Sequence, residues 1–190
     1  MLEGKVDTFV DINSGIQVKT GTGNACHYLQ VKHFDEDGKI IKDALAKELG
    51  EQDIRSKQLL EVGDIIFCSK GSRYFAAIIT DEMLPAMASS MFFVLRIKRQ
   101  YLDVIQPKFL AWFLNNPDTM KKIQAQSKGT AISAIPKHAL SELEITIPEL
   151  DIQHAVTRLY DLRHNETALL KELQGLIDEE THAILSQLLR

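Results

Sequence analysis

Apolar positions near the end of the chain fall at alternating three- and four-residue steps: Ile152, Val156, Leu159, then Leu170, Leu173, Ile177, Ile184 and Leu188. That spacing lines one face of a helix and predicts a single amphipathic helix over 151–190. At about 1.5 Å per residue it runs roughly 55–60 Å, longer than a small domain is wide. Its stripe, with Leu159, Leu170, Leu173, Ile177, Ile184 and Leu188 along it, is therefore a seam for another helix, so the arm projects from the body or packs against a partner. Glu166 and Glu180 interrupt the seam and either lie exposed or set its register.

Upstream the pattern changes to short apolar runs between turn residues. Val6–Ile12 reads as a strand, followed by a glycine-punctuated loop over 15–24. Tyr28–Phe34 alternates as a strand does, and Asp35–Gly38 is a turn. The charged stretch 40–59 is ambiguous, with a short helix expected around 43–49. Ile65–Phe67 fits a buried strand after the Gly63-Asp64 turn. Lys70–Arg73 is a polar loop, and Tyr74–Thr80 and Met91–Ile97 are further strands. A helix starts at Gln106-Pro107, with Phe109, Leu110, Phe113 and Leu114 inward. Asn115-Asn116-Pro117 ends it, and a second helix covers 118–125. Lys128-Gly129-Thr130 opens a loop, and Leu143–Ile147 is a period-two strand closed by Pro148. These runs predict an α+β body over 1–150, with a twisted, mostly antiparallel sheet, and a helical arm over 151–190.

Among 190 residues, 45% are apolar and 25% charged, an ordinary globular balance. With no long apolar span and no leader pattern, the chain is expected to stay in the cytosol, away from membranes. Cys26 and Cys68 make no disulfide framework and are expected to be packed thiols. The net charge of −4 argues against nucleic acid until its distribution is read. From Asp151 onward four Lys/Arg face seven Asp/Glu, so the arm carries −3 and the body −1. Between Arg96 and Lys137, eight Lys/Arg face Asp103 and Asp118, a local +6. Such a run either binds phosphate or forms a solvated face.

Catalytic patterns are missing from the sequence. The six histidines have no metal-ligand spacing, and Gly21-Thr-Gly23 lacks the third glycine of a dinucleotide loop. Asp7 with Asp11, or Asp64, are the only carboxylates that suggest a nuclease. No metal or cofactor is expected.

The order of motifs is more specific than any one of them. Leu60-Glu-Val-Gly-Asp-Ile-Ile-Phe67 leads to a Ser-Lys-Gly loop. Met87-Ala-Ser-Ser90, the 101–116 segment with its Phe-Leu-Ala-Trp-Phe-Leu core, Gly129-Thr-Ala-Ile-Ser133 and Ile135-Pro-Lys-His-Ala-Leu140 follow. Ile145-Thr-Ile-Pro148 then runs into Ile152-Gln153 and the long helix. In this order the chain resembles the specificity subunit of type I restriction–modification enzymes. The resemblance extends from about Leu60 to the end, and more loosely to Asp11–Gly15.

The resemblance implies a DNA target-recognition domain joined to a helix that spaces the domains and docks methyltransferase subunits. The typical subunit carries two of each, and this sequence one of each, so it looks like a half-subunit that forms a homodimer. Antiparallel arms would hold two bodies about one and a half duplex turns apart, reading inverted half-sites of double-stranded DNA. S-adenosylmethionine and any ATPase of a restriction subunit would belong to partners. Candidate DNA contacts are in the polar loops: Lys19, Thr20 and Thr22; Lys70 and Arg73 around Gly71; Lys128 and Thr130 beside Gly129. Tyr28, Gln30 and Lys32 are further candidates, and Trp112 with Phe109 and Phe113 is expected to pack. The rival reading is a degenerate regulatory protein that binds other subunits without reading DNA.

Overall fold

The computed structural model describes residues 1–19, 21, 23–35, 38–126 and 134–188, the last without its side chain. It comprises two compact units, Met1–Gln153 and His154–Arg190. Among the described residues, the first unit holds three small sheets. β1 (Leu2–Lys5) pairs antiparallel with β9 (Glu144–Ile147), whose alternation of exposed and buried residues is the period-two pattern of its sequence. A four-stranded antiparallel sheet has the order β2 (Val10–Ser14), β8 (Phe92–Ile97), β5 (Ile65–Cys68), β6 (Ala76–Ile78). In the third, β3 (Cys26–Leu29) lies between β4 (Lys47–Leu49), antiparallel, and β7 (Ala86–Ala88), parallel. The architecture is α+β and mostly antiparallel, as the turn-separated runs predict.

The Val6–Ile12 run is not one strand. Val6 and Phe9, three apart, are buried by the single helical turn α1 (Val6–Phe9), while Val10 and Ile12, two apart, are buried from β2. The turn carries the chain from one sheet to the next, so the apolar period changes within seven residues. Tyr28–Phe34 is likewise only half strand. β3 is buried at all four positions because it is the central strand of its sheet, and Val31–His33 then tightens into a 3₁₀ turn. The helix expected around 43–49 is absent: a 3₁₀ turn, Lys42–Ala44, precedes β4. β7 escapes the sequence because Ala-Met-Ala carries no β-branched signal.

Two glycines of the first loop are explained by close backbone approach. A Cβ on Gly15 would lie 2.1 Å from the Ser89 carbonyl oxygen, and one on Gly23 would lie 2.1 Å from the backbone at Leu49 and Gly50. Phe34, Phe75 and Phe92 make mutual tilted and edge contacts, with centroids 5.4–6.0 Å apart, at the centre of the main core. Cys26 and Cys68 are buried free thiols, their pKa values raised chiefly by burial.

α2 (Pro107–Asn115) starts with proline, as expected; α3 (Pro117–Ala125) does so too, with Pro117 opening it rather than only ending α2, and Asn116 caps α3 by accepting from the Asp118 N–H. Asn115 has a separate task. Its amide accepts from the Ala76 N–H at 2.8 Å and donates to the Ala76 carbonyl at 2.9 Å, standing in for a strand on the open edge of β6. Gln153, in the first turn of α5 (Leu150–Leu188), is fully buried. It donates to the carbonyls of Val104 and Pro148 and accepts from the Gln106 N–H. Among the described residues, α4 (Lys137–Ser141) is the remaining α-helix. None of the described helices is long and apolar enough to cross a membrane.

Asn115→Ala leaves both Ala76 groups unpaired and is expected to destabilise the chain by about 1–3 kcal/mol, read by urea unfolding. A second expectation concerns pH. Buried His33 accepts from the Gln30 N–H through Nδ1, so the neutral ring carries its proton on Nε2, which has no partner among the described residues. Burial, with Lys32 adding to it, lowers the His33 pKa. The unfolded histidine protonates below about pH 6.5 while the folded ring resists, so stability is present above that pH and falls as pH drops through it. In His33→Gln this part of the pH dependence disappears, as unfolding midpoints at about pH 7.5 and about pH 5.5 will reveal.

Candidate nucleic-acid interface

A shallow groove of about 340 Å³ lies between the first glycine loop and the Ser89–Met91 segment, lined by Gln17, Val18, Tyr28, Gln30, Val31, Ser89, Ser90 and Met91. Its walls are held by backbone. The Ile16 N–H donates to the Ala88 carbonyl, the Ser89 N–H to Leu29, and the Ser69 N–H to Met91. Tyr28 lies beneath: its hydroxyl donates to the Ile16 carbonyl at 2.7 Å and accepts from the Val18 N–H at 3.3 Å. Tyr28 therefore pins the loop, and its hydroxyl is engaged within the fold.

The two expected loops meet this groove from opposite directions in sequence. Lys19 follows the groove residue Val18 and is exposed. Lys70, also exposed, belongs to the turn at Gly71, which has φ +112° and lies against the Met91 side chain. Neither lysine forms an ion pair among the described residues. Thr20 and Thr22 lie outside the described residues, as do Lys128, Gly129 and Thr130. Ala134, the first described residue after that segment, pairs with Lys70 in an isolated antiparallel bridge.

Arg73 has an internal task that its polar sequence context does not disclose. Its guanidinium donates to the carbonyls of Val31 (3.0 Å) and Phe34 (2.5 Å) and lies over the Phe75 ring at 5.4 Å. It ties the Lys70 loop to the 3₁₀ turn beside Gln30. Lys32 pairs with Glu48 at 3.2 Å.

Three cations of the +6 stretch are also engaged within the fold. Arg96 holds Asp64 with two short hydrogen bonds (2.7 and 2.6 Å), Glu61 with a third (2.6 Å) and the Leu59 carbonyl with a fourth (3.1 Å). Asp64 is buried, and the Asp64 hydrogen bond is the main reason the Arg96 pKa is raised. Lys98 caps the Asp7 and Thr8 carbonyls, and Lys121 pairs with Asp118. Among the described residues, no group of three or more His, Cys, Asp or Glu is placed to hold a metal ion.

The second unit is the remainder of α5. Leu159, Leu162, Leu169, Leu170, Leu173, Leu176, Ile177, Ile184 and Leu185 are all 46–64% exposed along it. Every expected seam residue whose side chain is described is thus unburied within the chain. Leu162, Leu169 and Leu176 add a second row at seven-residue spacing, overlooked when only the three-and-four pattern is followed. Gln17, Ser89 and Ser90 were also missed as groove residues. Ser89 and Ser90 belong to the quoted Met87-Ala-Ser-Ser90 motif, but nothing local in it signals a groove.

The model of the family described as "Type I restriction modification DNA specificity domain" matches residues 22–175. Solved structures agree in fold. The HsdS subunit from Thermoanaerobacter tengcongensis superposes with a TM-score of 0.68 at 19% identity, over 96% of this chain and 46% of that one. A chain from a structure titled for complex assembly and conformational transition of the type I R-M system gives 0.64 at 19% identity, over 98% and 43%. The type I S subunit from M. genitalium gives 0.55 at 19%, over 90% and 42%. This chain spans less than half the length of each. No curated protein matches it. With a matched segment covering most of the body and about two thirds of the long helix, the chain belongs to the type I restriction–modification DNA specificity domain family.

Proposed function

We propose that the chain is a non-catalytic DNA target-recognition subunit of a type I restriction–modification system. It pairs with a second copy through α5 to read a bipartite target in double-stranded DNA, and it docks the methyltransferase subunits that do the chemistry. The observation that carries this reading is the 39-residue helix with its exposed apolar rows, attached to a specificity-family body. A helix of that length gains nothing from exposing nine large apolar side chains unless they are covered in an assembly.

The two rows suggest two kinds of neighbour. Leu159, Leu170, Leu173, Ile177 and Ile184 form one seam, suited to the same helix of a second copy. Leu162, Leu169 and Leu176 lie roughly 80° around the helix, at positions a two-stranded coil leaves polar. That row suits helices of the methyltransferase subunits. Methyl transfer and any cleavage belong to these partners, which bring S-adenosylmethionine and, where a restriction subunit is present, ATPase activity.

On the body, Lys19 and Lys70 are the phosphate contacts this reading favours, with Thr20, Thr22, Lys128 and Thr130 as further candidates. Arg73 acts by holding its loop. A chain with net charge −4 cannot rely on its overall field for DNA affinity, so local contacts and the partners must provide it.

The primary test is mass by light scattering, alone and with the methyltransferase of the same system. A dimer that captures two methyltransferase chains supports the reading; a monomer that ignores the methyltransferase overturns it. Leu173→Glu with Ile177→Glu is expected to reduce the dimer to monomer while leaving the thermal transition of the body unchanged. For DNA, Lys19→Ala and Lys70→Ala should each weaken binding to all sequences alike. Each should also reduce the slope of log affinity against log salt by about 1, measured by fluorescence anisotropy. Unchanged slopes would remove both lysines from the interface.

A further inference from the structure

We infer that Gln17 and Gln30, facing the groove around Ser89, are the side chains that read base edges, and that the target half-site contains an A·T pair read by a carboxamide. This inference rests on the recognition reading above and goes beyond it by assigning specificity to residues outside the charged loop tips.

The groove combines three properties. It is bounded by cations that form no ion pair among the described residues: Lys19 follows its Val18 wall, and Lys70 adjoins the Gly71 turn that touches Met91. A duplex bound through phosphates at both lysines would present its base edges to the surface between them. That surface carries neutral polar groups rather than charge: the amides of Gln17 and Gln30 and the hydroxyls of Ser89 and Ser90. A carboxamide offers one donor and one acceptor side by side, matching the N6 amino group and N7 of adenine in the major groove. Gln17 is exposed and Gln30 half-buried, so both are reachable.

The hydroxyl of Ser89 supplies an independent observation. Ser89 is only 4% exposed, its Oγ has no hydrogen-bond partner among the described residues, and it lines the groove. Buried hydroxyls in folded proteins are rarely left unpaired. Its own backbone is fixed by the Leu29 carbonyl and the Phe92 N–H, so the orphaned group is held firmly, as a contact to a bound partner must be. The Tyr28 hydroxyl, by contrast, is occupied by the loop it pins. The polar groups left for a ligand are therefore the two amides and two serines.

The test is sequence selection on the full chain. Duplexes with a randomised tract are bound and the retained pool sequenced for wild type, Gln17→Ala, Gln30→Ala, Gln17→Glu, Gln30→Glu and the Lys19→Ala/Lys70→Ala double variant. The wild type is expected to enrich a motif containing an A·T pair. Each alanine variant is expected to lose roughly tenfold or more of the preference at one position. Each glutamate variant is expected to move that preference from adenine toward cytosine, whose N4 amino group a carboxylate accepts from. A fold defect cannot produce that switch. The double lysine variant should weaken binding to every sequence while keeping the motif. If all four glutamine variants enrich the wild-type motif with wild-type preference, the inference is overturned and the recognition reading stands. If the wild type enriches no motif, both fall.

Discussion

One short backbone segment, Pro85–Met91, is the constraint on which the candidate interface depends. Within seven residues its carbonyls accept from His27, Leu60, Ile16 and Ser69, at Pro85, Ala86, Ala88 and Met91 respectively, and its Ser89 N–H donates to Leu29. Segments from four distant parts of the sequence converge there. Such convergence requires small side chains, and the segment supplies Ala86, Ala88, Ser89 and Ser90. The approach is so close at Gly15 that a Cβ would overlap the Ser89 carbonyl. The groove, the Tyr28 anchor beneath it and the placement of both lysine-bearing loops follow from this one join.

That join is also what the sequence hides. Long-period signals were legible: the 39-residue helix, the two proline-started helices and the apolar runs at 65–68 and 92–97 all stand where their patterns place them. Each is an element whose identity is decided by its own side chains. β7 is decided by its neighbours, since Ala-Met-Ala has no strand preference of its own and becomes a strand because β3 offers it a ladder. The same holds for α1, where two apolar pairs at different spacings share one run and only sheet topology decides where the period changes. The exposure of the candidate loops was legible, and the internal engagement of their side chains was not. Lys19 and Lys70 are recognisable as exposed loop lysines, whereas Arg73, in the same kind of context, serves as an internal tie.

Charge in this chain serves the fold first. Read along the sequence, Arg96–Lys137 looks like a phosphate-binding stretch. In three dimensions Arg96 is committed to Asp64, Glu61 and the Leu59 carbonyl, Lys98 to a helix end and Lys121 to Asp118. The Arg96 network has its own logic. Asp64 is buried in the turn that opens β5, and an unpaired buried carboxylate there would be costly, so a bidentate guanidinium from the neighbouring strand β8 makes the turn tolerable. A run of basic residues therefore says little about a surface until each cation has been assigned a partner.

What the frame implies for recognition follows from how it is built. The walls of the groove are joined largely main chain to main chain, and the side chains that add to the join, Tyr28, Ser69 and Arg73, spend their polar groups on the backbone they hold. The outward positions, Gln17, Gln30 and Ser90, contribute nothing to those joins. Exchanging them changes the donors and acceptors offered to a ligand while the backbone beneath keeps its hydrogen bonds. A surface of this kind can be re-specified by substitution without being refolded, because the interactions that set its shape and the groups that set its preference reside on different atoms. In the proposed two-fold assembly each such exchange would act twice, once in each half-site, since the same groove faces the duplex from both copies.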